Sequence, residues 1–322
     1  LESTSFLLKD ESGKEHCIFT GDTLFLGDVG IPDVAQRYMG VSKEELAGLL
    51  YDSVNLRIKP LPDNILVYPG HGAGSACGKN MMKETVDTLG NQKKMNYALN
   101  GSLSKDNFIK QLTNNLPEPP TYFPSNVKLN QQGYQDLSIV LKNGKQAISC
   151  HDFISKASEE NAVMLDLRNQ SDFAKSHIPN SIFIGIDGGF APWVGGLLQN
   201  VEKPILLIVD PQRIEEAITR LARVGFDNII GYLDKGFNSW TDANLEIATI
   251  STISAQDFSE IIKEKKVEIY DVRKPSEFFS EHIVDAKNIP LLSISENKQK
   301  IIKSNNVYMH CAGGYRSMIA NS

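Results

Sequence analysis

The chain has 322 residues, enough for two or three domains, and its 41% hydrophobic and 22% charged residues are ordinary for a globular protein. A formal net charge of -6 without any basic run argues against nucleic acid as the main partner. No apolar run approaches the ~18 residues needed to cross a bilayer, and no signal peptide is visible, although the chain begins at Leu1 rather than Met.

From the N-terminus, "STSFLLKDESGKEHCIFTGDTLFLGDVGIPD" reads as an apolar strand, a polar Asp-Glu-Ser-Gly turn and a second strand, a hairpin signal. The second strand ends in Thr20-Gly21-Asp22. A further apolar strand, within "NILVYPGHGAGSACG", ends in Pro69-Gly70-His71. An aspartate and a histidine, each just past a strand end beside glycine, can converge on a metal ion. Two candidate ligands are not by themselves a metal site, and the same residues in turns equally serve as caps or stand in water. The proline-rich "NNLPEPPTYFPSN", Asn114 to Asn126, reads as the linker leaving this first part.

Two later segments align without gaps. They are "AVMLDLRNQSDFAKSHIPNSIFI" from Ala162 and "VEIYDVRKPSEFFSEHIVDAKNIPL" from Val267. Asp166 matches Asp271, Arg168 matches Arg273, Phe173 matches Phe278 and His177 matches His282, all at one offset of about 105 residues. So long a period is not a solenoid repeat; it suggests two copies of a small domain. Each copy predicts a buried strand, a short helix, a His-Ile pair and another strand. The apolar strands "PILLIV" (Pro204 to Val209) and "NVYMHC" (Asn306 to Cys311) follow. In copy one, Ile214, Ala217, Ile218, Leu221 and Val224 fall at helical spacing, closed by Gly225. Strands alternating with helices predict α/β domains with parallel sheets. Asp271, Arg273 and His282 recur as Asp166, Arg168 and His177 in a copy without the cysteine, so they read as structural braces.

Four cysteines, Cys17, Cys77, Cys150 and Cys311, stand far apart with no CxxC pair, so free thiols in a reducing cytoplasm are the simplest expectation. Cys17, within the strand "HCIFT", reads as packed or partly exposed, and Cys150, before a helix-like stretch, as structural. Cys311 opens "CAGGYRS" after an apolar strand and before a helix. Glycines let successive N–H groups of Ala312, Gly313, Gly314 and Tyr315 turn inward as an anion nest. Arg316 adds a full charge. Such a loop favours the Cys311 thiolate and would cradle an anion on its sulfur, such as a persulfide; the plainer reading is a buried cysteine beside a Gly-Gly turn. Copy one has "DPQRIEE" here, with Asp210 in place of the cysteine. Copy two stops at Ser322, short of any counterpart of "KGFNSW", and is expected to be incomplete.

On D-V-R, E-F…H-I and Cys-x4-Arg, copy two resembles a rhodanese domain, and copy one resembles a degenerate one. Cysteine-dependent phosphatases of related fold carry one more residue between Cys and Arg, so the resemblance implies sulfur transfer, with Cys311 and Arg316 catalytic. "FTGDTLFLGDVG" and "YPGHGAGSACGK" resemble the second half of a metallo-β-lactamase-fold domain of the glyoxalase II and persulfide dioxygenase type. That resemblance implies a metal ligand at Asp22. His71 maps to the histidine of the second metal position, near the site. Cys77 lies in a segment similar to persulfide dioxygenase–rhodanese fusions; it either handles substrate sulfur or packs. The H-x-H-x-D-H motif is not in the sequence, so the remaining ligands are expected upstream of residue 1. Ile31 stands where many relatives have arginine.

The order as a whole resembles bacterial persulfide dioxygenase–sulfurtransferase fusions. It implies an α/β multidomain chain: the C-terminal half of a metallo-β-lactamase αββα sandwich over residues 1–130, a degenerate rhodanese-like domain over 131–248 and an active, C-terminally incomplete rhodanese domain over 249–322. The implied enzyme is cytoplasmic and serves sulfide detoxification, with mononuclear Fe(II), or alternatively zinc, as cofactor. Its expected partners are a low-molecular-weight thiol persulfide, O2 and sulfite, with no nucleic acid, no membrane and self-association into a homo-oligomer. Two rivals stay open: a zinc glyoxalase II-like thioester hydrolase fused to rhodanese domains, and a non-catalytic sulfur-carrier module.

Overall fold

The computed structural model describes residues 3–32, 40–75, 77–114, 116, 122–302 and 307–322. The chain divides into two compact units, Leu1–Pro119 and Pro120–Ser322. Among the described residues, no helix is long and apolar enough to cross a membrane.

In the first unit, β1 (Phe6–Lys9) and β2 (Glu15–Gly21) form the predicted antiparallel hairpin, with Phe6 opposite Phe19. Asp10 makes the turn: its carboxylate accepts the N–H groups of Ser12 and Lys14, and Gly13 takes the positive φ of 85°. A small ribbon, β3 (Leu24–Phe25) with β4 (Asp28–Val29), is followed by α1 (Lys43–Ser53), which Ser42 and Glu45 close with a capping box. Then come β5 (Leu66–Pro69), β6 (Asp87–Thr88), α2 (Leu89–Met95) and α3 (Lys105–Thr113). The sheet order is β1-β2-β5-β6, and the β2–β5 pair is parallel. That pairing matters for function, because its last register step sets Gly21 beside Pro69. Leu24, Leu26, Ile65, Val67, Leu89 and Phe108 form the buried core.

The second unit begins with α4 (Phe123–Gln132), so the expected linker over 114–126 is helical from Phe123, with Pro124 in the first turn, where proline costs no hydrogen bond. Residues 115 and 117–121 of that stretch lie outside the described residues, as do Asp33, Ala76 and Asn306 of the other quoted segments. Copy one contains α5 (Leu137–Gly144), β7 (Ala147–Ile148), α6 (Cys150–Glu159), β8 (Val163–Asp166), α7 (Gln170–Lys175), β9 (Ile182–Phe183), α8 (Phe190–Leu197), β10 (Ile205–Ile208), α9 (Ile214–Ala222), β11 (Ile229–Leu233) and α10 (Phe237–Asp242). Copy two contains α11 (Ala255–Glu264), β12 (Glu268–Asp271), α12 (Pro275–Ser280), β13 (Lys287–Asn288), α13 (Ile294–Asn297), β14 (Val307–His310) and α14 (Tyr315–Asn321). The sheets run β7-β11-β10-β8-β9 and β13-β12-β14, parallel throughout. All four residues of β10 are buried, as expected of a strand covered on both faces. Helix α9 buries Ile214, Ala217, Ile218 and Leu221 and stops at Ala222; Val224 lies past its end, before Gly225 at φ 85°.

The repeat is exact in its bracing. Arg168 grips buried Asp166 and the carbonyl of Ser176; Arg273 grips buried Asp271 and the carbonyl of Glu281. His177 lies 2.8 Å from the Phe173 carbonyl and stacks on the Phe173 ring at 4.0 Å; His282 does the same with Phe278, at 2.9 and 4.0 Å. These groups fasten the loop after the first strand to the following helix. One apolar cluster holds Phe173, Phe183 and Val194 of copy one together with Val272, Leu291, Met318 and Ile319 of copy two. Phe173→Ala should destabilise this unit by about 3–5 kcal/mol. Denaturant unfolding followed by tryptophan fluorescence will measure it, because both tryptophans, Trp193 and Trp240, lie in copy one; an unchanged midpoint would contradict the shared core.

Candidate functional site

Strand β14 lies parallel to β12, with His310 beside Asp271, and so delivers Cys311 to the carboxyl end of the sheet. The chain then turns through exposed Ala312 and Gly313 into α14, with Gly314 in the left-handed region at φ 85°. That conformation is what glycine permits. It aims the Gly314 N–H at the Cys311 sulfur, 3.1 Å away, while the Ser317 N–H lies 3.4 Å and the Ser317 hydroxyl 3.6 Å from it. Burial pushes the Cys311 thiol up, but the hydrogen bonds from Ser317, Gly313 and Gly314 outweigh it and hold the group below the ordinary cysteine value. The sulfur is half-buried. The loop is therefore a thiolate cradle built from backbone N–H groups.

Two loop residues do something the sequence did not reveal. Arg316 is gripped at both ends by Glu277 of α12, at 2.6 and 2.8 Å. The Arg316 hydrogen bonds hold the Glu277 carboxyl down at about 2, so the pair is fully ionised at neutral pH. Copy one has the shorter Asp172 where copy two has Glu277, and that difference was the available signal. Tyr315 turns its ring away from the sulfur: its hydroxyl donates to the Gly185 carbonyl at 2.6 Å, and its ring meets Phe183 edge-on. His310 has its Nε2 buried without a hydrogen-bond partner, 3.6 Å from an Asp271 carboxylate oxygen. Burial holds its pKa down, which keeps it neutral. In copy one Ile208 lies beside Asp166 as His310 lies beside Asp271, so the residue in the place of Cys311 is buried Val209, not Asp210 as the sequence alignment suggests. Exposed Asp210, one residue on, spends its carboxylate on the Gln212 N–H at 2.9 Å, as a cap.

In the first unit, the Gly21–Pro69 register brings Asp22 and His71 together. Asp22 Oδ1 lies 2.9 Å from His71 Nδ1, and the Gly70 N–H donates to the Gly21 carbonyl. A side chain at position 70 would press on Asp22 Oδ1, so the close approach requires glycine. Cys77 joins them, with one ligand atom of each residue within 4.8 Å of the others. A carboxylate, an imidazole and a thiol are a donor set that fits a transition-metal ion. Cys77 is held by its own carbonyl, which accepts the Ile31 N–H at 3.1 Å. The loop after it is pinned by buried Asp28, which accepts the N–H groups of Val29, Lys79 and Asn80 and the Tyr97 hydroxyl. In the sequence, Asp28 is marked only by its place between Gly27 and Val29 in "GDVG". Cys17 is buried in β2, and Cys150 opens α6 with its sulfur 3.7 Å from the Ser239 hydroxyl.

The rhodanese-like domain family matches residues 149–243 and 254–322. Among curated proteins, the chain is 35% identical over 116 residues to the mitochondrial persulfide dioxygenase ETHE1 of Mus musculus, covering 36% of this chain and 37% of that one. It is 40% identical over 53 residues to the uncharacterized protein YqhL of Bacillus subtilis (strain 168), covering 16% and 42% respectively. The crystal structure of a metallo-beta-lactamase from Staphylococcus aureus subsp. aureus COL is similar at a TM-score of 0.54 and 33% identity, over 72% of this chain and 62% of that one. The chain thus spans less than half the length of these curated relatives and under two thirds of the staphylococcal protein. The fold is α/β, with a metallo-β-lactamase-like part joined to rhodanese-like repeats.

The cradle makes a pH prediction. A depressed thiol pKa keeps the thiolate present as pH falls below the ordinary cysteine value of ~8.5, and reactivity is lost only beneath the depressed pKa. Iodoacetamide labelling of Cys311, read by peptide mass spectrometry across pH, should therefore have its midpoint below ~8.5. A midpoint at or above that value would refute the cradle.

Proposed function

Because the chain belongs to the rhodanese-like domain family, we propose that Cys311 carries sulfane sulfur as a covalent persulfide. The Cys311 thiolate attacks the outer sulfur of a thiol persulfide, the S–S bond of the donor breaks, and the donor thiol leaves as thiolate. The outer sulfur now sits on Cys311 as an anion, within reach of the Gly314 and Ser317 N–H groups that stabilised the thiolate. Attack by sulfite on that outer sulfur gives thiosulfate and returns the Cys311 thiolate. Arg316, held by Glu277, braces the helix end and offers a fixed positive edge. The observation that carries this reading is the pair of backbone N–H groups aimed at a half-buried sulfur.

The first unit is proposed to belong to the oxidising half: a thiol persulfide, O2 and water give the thiol and sulfite. Asp22 would supply a carboxylate ligand, His71 would stand beside it and Cys77 within reach of both, while Fe(II), when bound, supplies the O2 chemistry. The likeness to a persulfide dioxygenase supports this assignment. The sulfite formed would be the acceptor used at Cys311, and the setting proposed is cytoplasmic sulfide detoxification.

Thiosulfate–cyanide sulfurtransferase activity should fall at least ~100-fold in Cys311→Ala, as expected on losing a covalent nucleophile. Equal activity would remove Cys311 from the chemistry. Asp210→Ala should leave transfer unchanged while costing about 1 kcal/mol of stability for a lost cap; a large loss of transfer would show that copy one does chemistry. Metal analysis and an oxygen electrode test the first unit. Bound iron that falls in Asp22→Ala, with persulfide-dependent O2 uptake, is the expected outcome. Two zinc ions with thioester hydrolysis and no O2 uptake would overturn the dioxygenase assignment in favour of the hydrolase.

A further inference from the structure

Copy one lacks the cysteine, yet it reaches into the cysteine loop of copy two. The first residue of α7, Gln170, donates from its side-chain Nε2 to the Gly313 carbonyl at 3.1 Å. Asn169 caps that helix, accepting the Asp172 N–H at 2.9 Å, and so fixes where Gln170 stands. The matching position in copy two is Pro275, which has no side-chain donor to offer.

The Gly313 carbonyl and the Gly314 N–H belong to one planar peptide unit and point in opposite directions. Holding the carbonyl outward therefore aims the N–H inward, at the Cys311 sulfur 3.1 Å away. A peptide between two glycines is the easiest in the loop to turn over, because neither residue has a side chain to oppose it. Turned over, it would present a carbonyl oxygen to the sulfur and repel the thiolate. A second tie reinforces the first: two residues on, the Tyr315 hydroxyl is fixed to the Gly185 carbonyl, also in copy one.

We propose that Gln170 of the degenerate copy is a positioning residue for the active cysteine, latching the Gly313–Gly314 peptide in the orientation that stabilises the Cys311 thiolate and its persulfide. The inference rests on the sulfur-transfer reading for its biological meaning, but not for its test. Around the loop, the charged groups include Arg316 with its partner Glu277, Asp271 with Arg273 behind His310, and Arg220 and Asp187 of copy one near Tyr315; Gln170 is neutral, so its removal changes a hydrogen bond and no charge.

The test uses the whole chain in three forms: wild type, Gln170→Ala, which removes the hydrogen bond without a change of charge and so carries the decision, and the isosteric Gln170→Glu, which keeps the shape but puts an acceptor and a negative charge against the carbonyl. For each, iodoacetamide labelling of Cys311 is followed against pH, alongside sulfurtransferase activity and tryptophan-detected unfolding. Both variants should shift the labelling midpoint to higher pH and slow labelling at neutral pH roughly three- to ten-fold, the scale of one neutral hydrogen bond, with the Glu variant at least as impaired as the Ala variant. Unfolding midpoints should stay near wild type. Labelling profiles that coincide with wild type overturn the proposal, as does a Glu variant that behaves normally, since packing alone would tolerate it. The two readings fail separately. Wild type without Cys311-dependent transfer but with shifted variant profiles would sink the sulfur-transfer reading and leave the latch standing; Cys311-dependent transfer with unshifted profiles would do the reverse.

Discussion

The second unit depends on where α14 puts its apolar side. That helix follows the cysteine loop, and it is short, so its own backbone hydrogen bonds could not hold it. Met318 and Ile319 anchor it in the cluster that also contains Phe173 and Phe183 of copy one. Ser317, whose N–H faces the sulfur, is buried by the same docking. The geometry at Cys311 is therefore set by burial between the two copies as much as by the loop itself. The copy without the cysteine is thus part of the structure that sets the surroundings of Cys311 in the other.

Both candidate sites use one architectural device. At the carboxyl end of a parallel strand pair, two loops leave the sheet side by side, and residues distant in sequence meet there. In the first unit the pair is β2 with β5, and the residues that meet are Asp22 and His71. In the second it is β12 with β14, where the Asp271–Arg273 brace adjoins His310 and Cys311. In each case buried polar groups with complete hydrogen bonding, Asp28 in one and Asp271 in the other, hold the reactive residues' loops in place.

Much of this was legible in the residues. The hairpin followed from alternation around Asp-Glu-Ser-Gly, the twofold repeat from the shared Asp-x-Arg and His-Ile spacing, and the cradle from glycines beside a cysteine after an apolar strand. These are local signals, carried by neighbours in sequence. What escaped depends on distant contacts. Glu277 and Arg316 are separated by β13, α13 and β14, and nothing in either segment announces the pair. Tyr315 reads as part of an anion loop until the Gly185 carbonyl is seen opposite its hydroxyl. Proline suggested a linker before α4, but proline also suits a first helical turn, and only the packed structure distinguishes the two uses.

The space that receives Tyr315 has a consequence for how such chains can change. A Cβ at position 188 would overlap the Tyr315 ring, so the ring occupies room that exists only because Gly188 has no side chain. The two positions lie in different copies, yet neither is free to vary alone: a larger residue at 188 expels the tyrosine, and a smaller one at 315 leaves a void. Duplication ordinarily gives one copy licence to drift once the other does the work. Here the copy without the cysteine is held at Gly188, where it is the mould for the tyrosine of the cysteine loop.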